Sequence, residues 1–168
     1  QLFAPAMAVD GSKETRWKSH LVSKDAHPWI AFRWTNTCTQ GIETMALEWD
    51  LSPSAFSVAV ASGSNSITNE HSGRTSTYAE EIPNLSWVEV IDVARQATQG
   101  RIDIIDDIDS IQNINWINVS IQHAGSWTAP SLVEMTIMCT ESDSNSDSNS
   151  GSGSVGEIET MVAVEPNG

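Results

Sequence analysis

The chain has 168 residues, 39% of them hydrophobic, and its length suits one domain built around a single core. Its 22 acidic and 8 basic residues give a formal net charge of −14, which favours cations and excludes nucleic acid and anionic membranes as general partners. No apolar run approaches the roughly 20 residues that a membrane-spanning helix needs, so membrane association of this fragment is not expected.

The first feature in chain order is a polar turn at residues 9–19 that contains Trp17. Six short segments after it are rich in β-branched and aromatic side chains and are predicted as strands: residues 29–34, 45–49, 56–60, 87–91, 116–121 and 132–138. Several alternate with period two, which places Met45, Leu47 and Trp49 on one face of their strand. With turn residues between the strands, this pattern predicts an all-β sandwich.

Two segments between these strands have alternative interpretations. Residues 90–99 are the one fair helix candidate, although their beginning could equally continue the strand before it. The acidic run at residues 103–109 lacks the ligand spacing of a calcium-binding EF-hand loop. We therefore expect a solvated hairpin face there, with its apolar residues turned inward.

Cys38 and Cys139 each end a predicted strand, and they permit one disulfide without requiring it. A bridge across some 100 residues would contribute roughly 4 to 5 kcal/mol, whereas a buried pair of free thiols is the alternative. Asn84 and Asn118 fit the glycosylation pattern, and the chain begins at Gln1, from which we expect that an upstream segment was removed. These features favour a secreted or cell-surface protein.

The C-terminal part differs in composition from the rest. Residues 1–140 are predicted as the sandwich domain, and residues 141–154, mostly Ser, Asp, Asn and Gly, as a disordered linker. The terminal segment, residues 155–168, contains an apolar stretch that either returns to the sheet or belongs to whatever follows. We favour its return as a strand.

Seven short patterns follow one another along about residues 6–138: Asp10-Gly11 with Thr15-Arg16-Trp17 and Ser19, Pro28-Trp29-Ile30, Ile42-x-x-Met45-x-Leu47-x-Trp49, Phe56 to Ser62-Gly63, Trp87-Val88-x-Val90, Trp116-Ile117-x-Val119-x-Ile121, and Ser131-Leu132-x-Glu134-Met135. In this order they resemble the discoidin domains, or coagulation factor 5/8 type C domains, and the related family 32 carbohydrate-binding modules. The resemblance implies a galactose-binding-like jelly-roll β-sandwich of about eight strands.

In many relatives of this kind the polar loop binds calcium, and the resemblance implies a structural calcium ion here. Calcium prefers six to eight oxygen ligands, which carboxylates, hydroxyls and carbonyls supply around a tight turn. The implied metal ligands are the side chains of Asp10, Thr15 and Glu134 with backbone carbonyls near Met7, Asp10, Ser12 and Thr15. Trp17 would anchor the loop by burial. The alternative is a solvated turn closed by Asp10, with Glu134 merely exposed.

A sugar site needs an aromatic face and a few polar groups. The loop and strand-end candidates are His20, His27, Arg33, Trp34, Asn36, Arg74, His123 and Trp127. Each has an ordinary explanation as well: Trp34 as part of the core, and His20 and His27 as surface residues. Trp127, between Gly125-Ser126 and Thr128-Ala129-Pro130, is the strongest candidate for an exposed aromatic.

These observations predict a non-catalytic module that binds glycans at loop tips. No zinc-protease motif, nucleophile elbow or phosphate-binding glycine loop is present. The alternative is a protein-interaction or structural module of an extracellular assembly. Phospholipid binding is a third and weaker hypothesis because loop lysines are few. An oligomer is plausible through multivalency, because single shallow sugar sites bind modestly.

Overall fold

The computed structural model describes residues 3–19, 22, 27–62, 85, 87–108, 111–126, 129–140 and 161–164, with the backbone alone for 35–37, 107 and 161–164. In these ranges a 3-10 helix, Pro5–Ala8, precedes nine strands: β1 (Trp17–Lys18), β2 (Trp29–Cys38), β3 (Ile42–Leu51), β4 (Ala55–Ala61), β5 (Val88–Ala94), β6 (Ile102–Ile108), β7 (Ile114–His123), β8 (Ser131–Cys139) and β9 (Met161–Val164). None of the described residues belongs to a helix that could span a bilayer.

The strands form two antiparallel sheets. One sheet has four strands in the order β1-β8-β3-β6, and the other has five in the order β5-β4-β7-β2-β9. All strand pairs are antiparallel. The predicted all-β sandwich is therefore confirmed.

The core lies between the sheets and follows the period-two pattern. Met45, Leu47 and Trp49 of β3 are buried together, as are Phe56, Val58 and Val60 of β4 and Ile117, Val119 and Ile121 of β7. The rings of Trp49 and Phe56 lie 5.4 Å apart between centroids. Burying each such side chain contributes about 1.5 to 3 kcal/mol, so the faces predicted from alternation are the ones that hold the sheets together.

The helix considered at residues 90–99 is wrong, and the strand alternative is correct. β5 pairs with β4 from Val88 opposite Val60 to Ala94 opposite Ala55. Val93 turns into the core, while its neighbours on either side are exposed. Pairing with β4 satisfies the backbone hydrogen-bonding groups of β5, so sheet pairing overrides the weak helical pattern.

The acidic run forms β6, but its apolar residues do not all turn inward. Asp103 is 1% exposed, whereas Ile102 and Ile104 are 55% and 59% exposed. Asp103 accepts hydrogen bonds from Arg95 (3.0 Å), Arg101 (2.8 Å) and the Trp49 indole (3.0 Å). These three donors make burial of a carboxylate possible, and the expected orientation is therefore corrected.

A disulfide joins Cys38 at the end of β2 to Cys139 at the end of β8, with Cα atoms 5.2 Å apart. The bridge predicted from the cysteines is confirmed. It links the two sheets, because β2 and β8 lie in different ones.

Four residues of the terminal segment form β9, which pairs with β2 from Ala31 opposite Val164 to Trp34 opposite Met161. The linker predicted at residues 141–154 lies outside the described residues, as does the glycosylation candidate Asn84. The other candidate, Asn118, is half-buried in β7.

Candidate functional site

The polar loop, residues 10–15, closes on its own carboxylate. The Asp10 carboxylate accepts a hydrogen bond from the Ser12 backbone N–H (2.9 Å) and another from the Thr15 hydroxyl (2.6 Å). Gly11 has a φ of 73°, a left-handed conformation that favours glycine. The loop therefore gathers one carboxylate and one hydroxyl around a tight turn.

Glu134 reaches this loop from β8. Its carboxylate accepts a hydrogen bond from the Gly11 backbone N–H at 3.1 Å, across 123 positions of sequence. β1 makes the approach possible, because Trp17 pairs with Leu132 and is fully buried. Asp10, Thr15 and Glu134 are thus brought together, which is the proximity that the resemblance to discoidin domains implied.

A third carboxylate, on the adjacent strand β3, extends the site. Glu48 of β3 lies directly opposite Glu134, and the Lys13 ammonium pairs with Glu48. Partial burial is the main cause that raises the pKa of Glu134, and the negative charges of Asp10 and Glu48 raise it further. The hydrogen bond from Gly11 and the positive charge of Lys13 lower this pKa, but they do not cancel the rise. Negative charge at this position is therefore only partly compensated.

The oxygens of this site are mixed in kind. No group of three or more His, Cys, Asp or Glu side chains is placed to hold a metal among the residues that the structure describes. A cation here would depend on Asp10 and Glu134, the Thr15 hydroxyl, and backbone carbonyls such as that of Ser12, 3.4 Å from the Thr15 hydroxyl. Met7, the remaining candidate, lies in the 3-10 helix. Calcium accepts such neutral oxygens, so the donor set fits it.

Trp34 is not available to a sugar. It is 1% exposed and belongs to the core with Ile30 and Phe32, which share its face of β2. Its assignment as a binding residue is therefore wrong, and its alternative interpretation as a core residue is correct. Arg33 points to the opposite face, where its guanidinium lies 5.8 Å from the centre of the Trp116 ring.

Of the remaining candidates, His27 and His123 lie among the described residues. His27 is exposed just before β2, at the end of the sandwich where β7 runs out at His123. The disulfide lies at the other end of β2, beyond Arg33 and Trp34. His20, Arg74, Trp127 and the side chain of Asn36 lie outside the described residues.

An aromatic group that was not predicted from the sequence lies on the outer face of the five-stranded sheet. This tryptophan cluster consists of half-buried Trp29 and Trp87 and fully buried Trp116. Trp87 and Trp116 meet edge to face, with ring centres 6.4 Å apart. Alternation along β2 is the signal that could have found it, since Trp29 has the parity opposite to Ile30.

A row of short polar residues crosses the same outer face. Trp29 lies opposite Ser120, Ser120 opposite Ser57, and Ser57 opposite Asp92. Gln122 donates hydrogen bonds to the hydroxyls of Ser57 and Ser120, at 3.4 and 3.3 Å. Unlike the polar loop, this face combines aromatic and hydroxyl groups.

The sandwich can be compared with solved structures. Chitosan-binding module 1 of a chitosanase/glucanase from Paenibacillus sp. IK-5 is similar with a TM-score of 0.56 and 22% identity, covering 81% of this chain and 85% of that one. An F5/8 type C domain from Bacteroides fragilis is similar with a TM-score of 0.54 and 12% identity, covering 81% and 80%.

The chain has the discoidin fold. A further discoidin-fold relative is chitosan-binding module 2 of the same Paenibacillus enzyme, solved in complex with chitotriose, with a TM-score of 0.51 and 21% identity over 81% of this chain and 86% of that one. No protein-family model and no curated protein matches the sequence. At these identities the likeness establishes the discoidin fold and leaves the binding site to be argued from the chain itself.

Proposed function

We propose that this chain is a non-catalytic carbohydrate-recognition module that binds glycans at loop tips. The observation that carries the proposal is the discoidin fold, which the chain shares with modules described as chitosan-binding. The loop end where β2 begins and β7 ends carries exposed His27, and the sequence places His20 and Trp127 in the same two connections. Aromatic and polar side chains at one end suit a shallow sugar site.

We propose in addition that the polar loop holds a structural calcium ion. Asp10 and Glu134 would supply its carboxylates, and Thr15, Ser12 and Met7 its neutral oxygens. The bound ion would counter the partial burial and the repulsion from Asp10 and Glu48 that raise the Glu134 pKa, and it would fix the loop against β8. Calcium is then a stiffening element, and contact with the sugar belongs to other residues.

A secreted or cell-surface location fits this role. The Cys38–Cys139 disulfide is of a kind that persists in oxidising compartments. Glycan ligands occur outside cells and on cell surfaces. Several copies of this module, or neighbouring domains, would supply avidity.

Protein interaction is the second candidate function, and two surface features favour it. Ile102, Ile104 and Met138 expose apolar side chains from the four-stranded sheet. A groove of about 390 Å³ lies between the edge strands β5 and β6, lined by apolar residues with Glu89 and Asp106. Phospholipid binding remains the weakest hypothesis, since the net charge is −14.

A glycan array probed with the intact chain tests the proposal, with calcium and with chelator. We expect selective binding that Trp127→Ala weakens and Gln112→Ala leaves unchanged, since Gln112 is exposed at the opposite end. Absence of binding to every glycan would contradict it. A partner retained in a pull-down with excess free sugar would favour protein interaction instead.

A further inference from the structure

The outer face of the five-stranded sheet carries short polar side chains beside Trp29. Asn118 of β7 and Ala59 of β4 are half-buried and lie next to the row of Ser120 and Ser57, whereas the neighbouring Ala31 of β2 is fully buried. Trp29 is a half-buried ring at one end of that row. A flat polar strip beside an aromatic face is the arrangement that accommodates a sugar ring.

Hydrogen-bonding groups line this strip, and some of their donors and acceptors have no partner among the described residues. Gln122 donates to the oxygens of Ser57 and Ser120, which leaves both hydroxyl protons available as donors. The half-buried Asn118 amide carries no hydrogen bond to the described part of the chain. A hydroxyl-rich ligand would supply partners for the two serine hydroxyls and the Asn118 amide.

The charge of the strip selects the class of sugar. Asp92 lies exposed at the end of the row that begins at Trp29, and Glu89 lies opposite Ala59. Arg33 is the one Lys or Arg of β2, β4, β5 and β7, and its guanidinium already lies over the Trp116 ring. The negative end of the strip, in a chain of net charge −14, therefore complements a cationic ligand.

The length of the strip suits more than one sugar ring. From Trp29 to Asp92 the row crosses three gaps between neighbouring strands, about 14 Å in all. Trp29 follows directly on the loop that carries His27, so this row continues from the proposed loop site. A short oligosaccharide could contact both.

We propose that glycan contact extends from the loop end onto this outer face, where Trp29, Ser57, Asp92, Asn118, Ser120 and Gln122 take an oligosaccharide that contains glucosamine. The inference rests on the proposed glycan-binding function and adds a place and a substrate class to it. Trp29 stacks on a pyranose ring, the serines and amides hold hydroxyls, and Asp92 pairs with a protonated amine.

Isothermal titration of the intact chain with chitotriose, its fully N-acetylated form and cellotriose tests this inference. We expect chitotriose to bind most tightly and its affinity to fall with added salt. Trp29→Ala should weaken binding about tenfold or more, because a stacking tryptophan carries much of such binding energy. Asp92→Asn should weaken chitotriose about threefold to fivefold and leave cellotriose unchanged, as for an exposed ion pair.

Two further variants serve as a charge control and as a steric block of the strip. Asp106→Asn makes the same change at an exposed carboxylate of the other sheet and should leave chitotriose binding unchanged. Ser57→Arg fills the strip without removing a core residue, so it should abolish binding even where Trp29→Ala fails to fold. The indole N–H signal of Trp29 should shift in a two-dimensional NMR titration.

The outcomes separate the two proposals. If Ser57→Arg and Trp29→Ala both leave glycan binding intact, the proposed contact with the outer face is wrong and the proposed binding at loop tips stands. Equal affinity for cellotriose and chitotriose, weakened alike by Ser57→Arg, overturns the amino-sugar class. Absence of binding to any glycan, on the array and in the titration, overturns the proposed function itself.

Discussion

The backbone N–H of Gly11 donates a hydrogen bond to the carboxylate of Glu134, 3.1 Å away and 123 positions further along the chain. This contact fastens the first loop of the chain to β8. The Lys13–Glu48 ion pair fastens the same loop to β3. The polar loop is therefore part of the sandwich and depends on strands distant in sequence.

The pH dependence of stability should report on Glu134. Folding raises its pKa above the ordinary value of 4.5, so the folded chain binds this proton more tightly than the unfolded chain. The resulting stability is fully present below the unfolded-state pKa and is lost as pH rises through the raised one. In chelator, urea unfolding from pH 4 to 7 should show Glu134→Gln gaining stability over wild type as pH rises. Glu43→Gln, at an exposed site, is the control; equal profiles for wild type and Glu134→Gln would refute the assignment.

Asp103 should be the most costly carboxylate to remove. Its replacement leaves Arg101, whose side chain is 12% exposed, without its charge partner, and removes the acceptor of the Trp49 indole. Breaking a buried ion pair costs about 3 to 5 kcal/mol. Asp103→Asn should lower the free energy of unfolding by about that amount in urea denaturation. A loss no greater than that of Asp106→Asn, about 0.5 kcal/mol at a surface site, would show that the network contributes little.

Gly125 and Gly100 form a matched pair for testing a close approach between loops. Both have positive φ, 73° and 74°, so alanine strains either backbone. At Gly125 a new Cβ would lie 2.5 Å from the Ala97 Cβ and 3.1 Å from that of Ser54, while at Gly100 nothing lies within 4 Å. Gly125→Ala should therefore destabilise by about 1 to 3 kcal/mol more than Gly100→Ala in thermal or urea unfolding. Equal losses would mean that the loops move apart freely.

The disulfide should contribute much of the stability of the chain. It closes a loop with a sequence separation of 101 residues, for which the chain-entropy model gives about 4.7 kcal/mol. The double variant Cys38→Ala, Cys139→Ala should lose about this much free energy of unfolding, and reductant should weaken the wild type but not the double variant. Unchanged stability of wild type after complete reduction, verified by thiol titration, would contradict this expectation.

The sequence predicted those parts of the fold that local alternation encodes. The faces of β3, β4 and β7 followed directly from period two, because one-sided burial requires that period. Burial of Trp34 follows from the same rule, since it shares parity with Ile30 and Phe32. Trp29 has the opposite parity and therefore lies on the other face of β2.

The parts that the sequence did not predict depend on contacts between distant residues. Asp103 turns inward because Arg95, Arg101 and Trp49 converge on it, and no local pattern of charges encodes that convergence. β5 is a strand because β4 pairs with it. The approach of Glu134 to the polar loop was expected from a family resemblance, which carries information about long-range contacts that alternation lacks.

Two measurements on the chelator-treated chain test most directly whether the first loop and β8 form one cation site: isothermal titration with calcium, and thermal unfolding at increasing calcium concentration. We predict one calcium bound per chain and a rise in the unfolding temperature with calcium concentration. Asp10→Asn and Glu134→Gln should each abolish both effects, and Asp106→Asn should retain them. A wild-type chain that shows neither binding nor a temperature shift would refute the cation site.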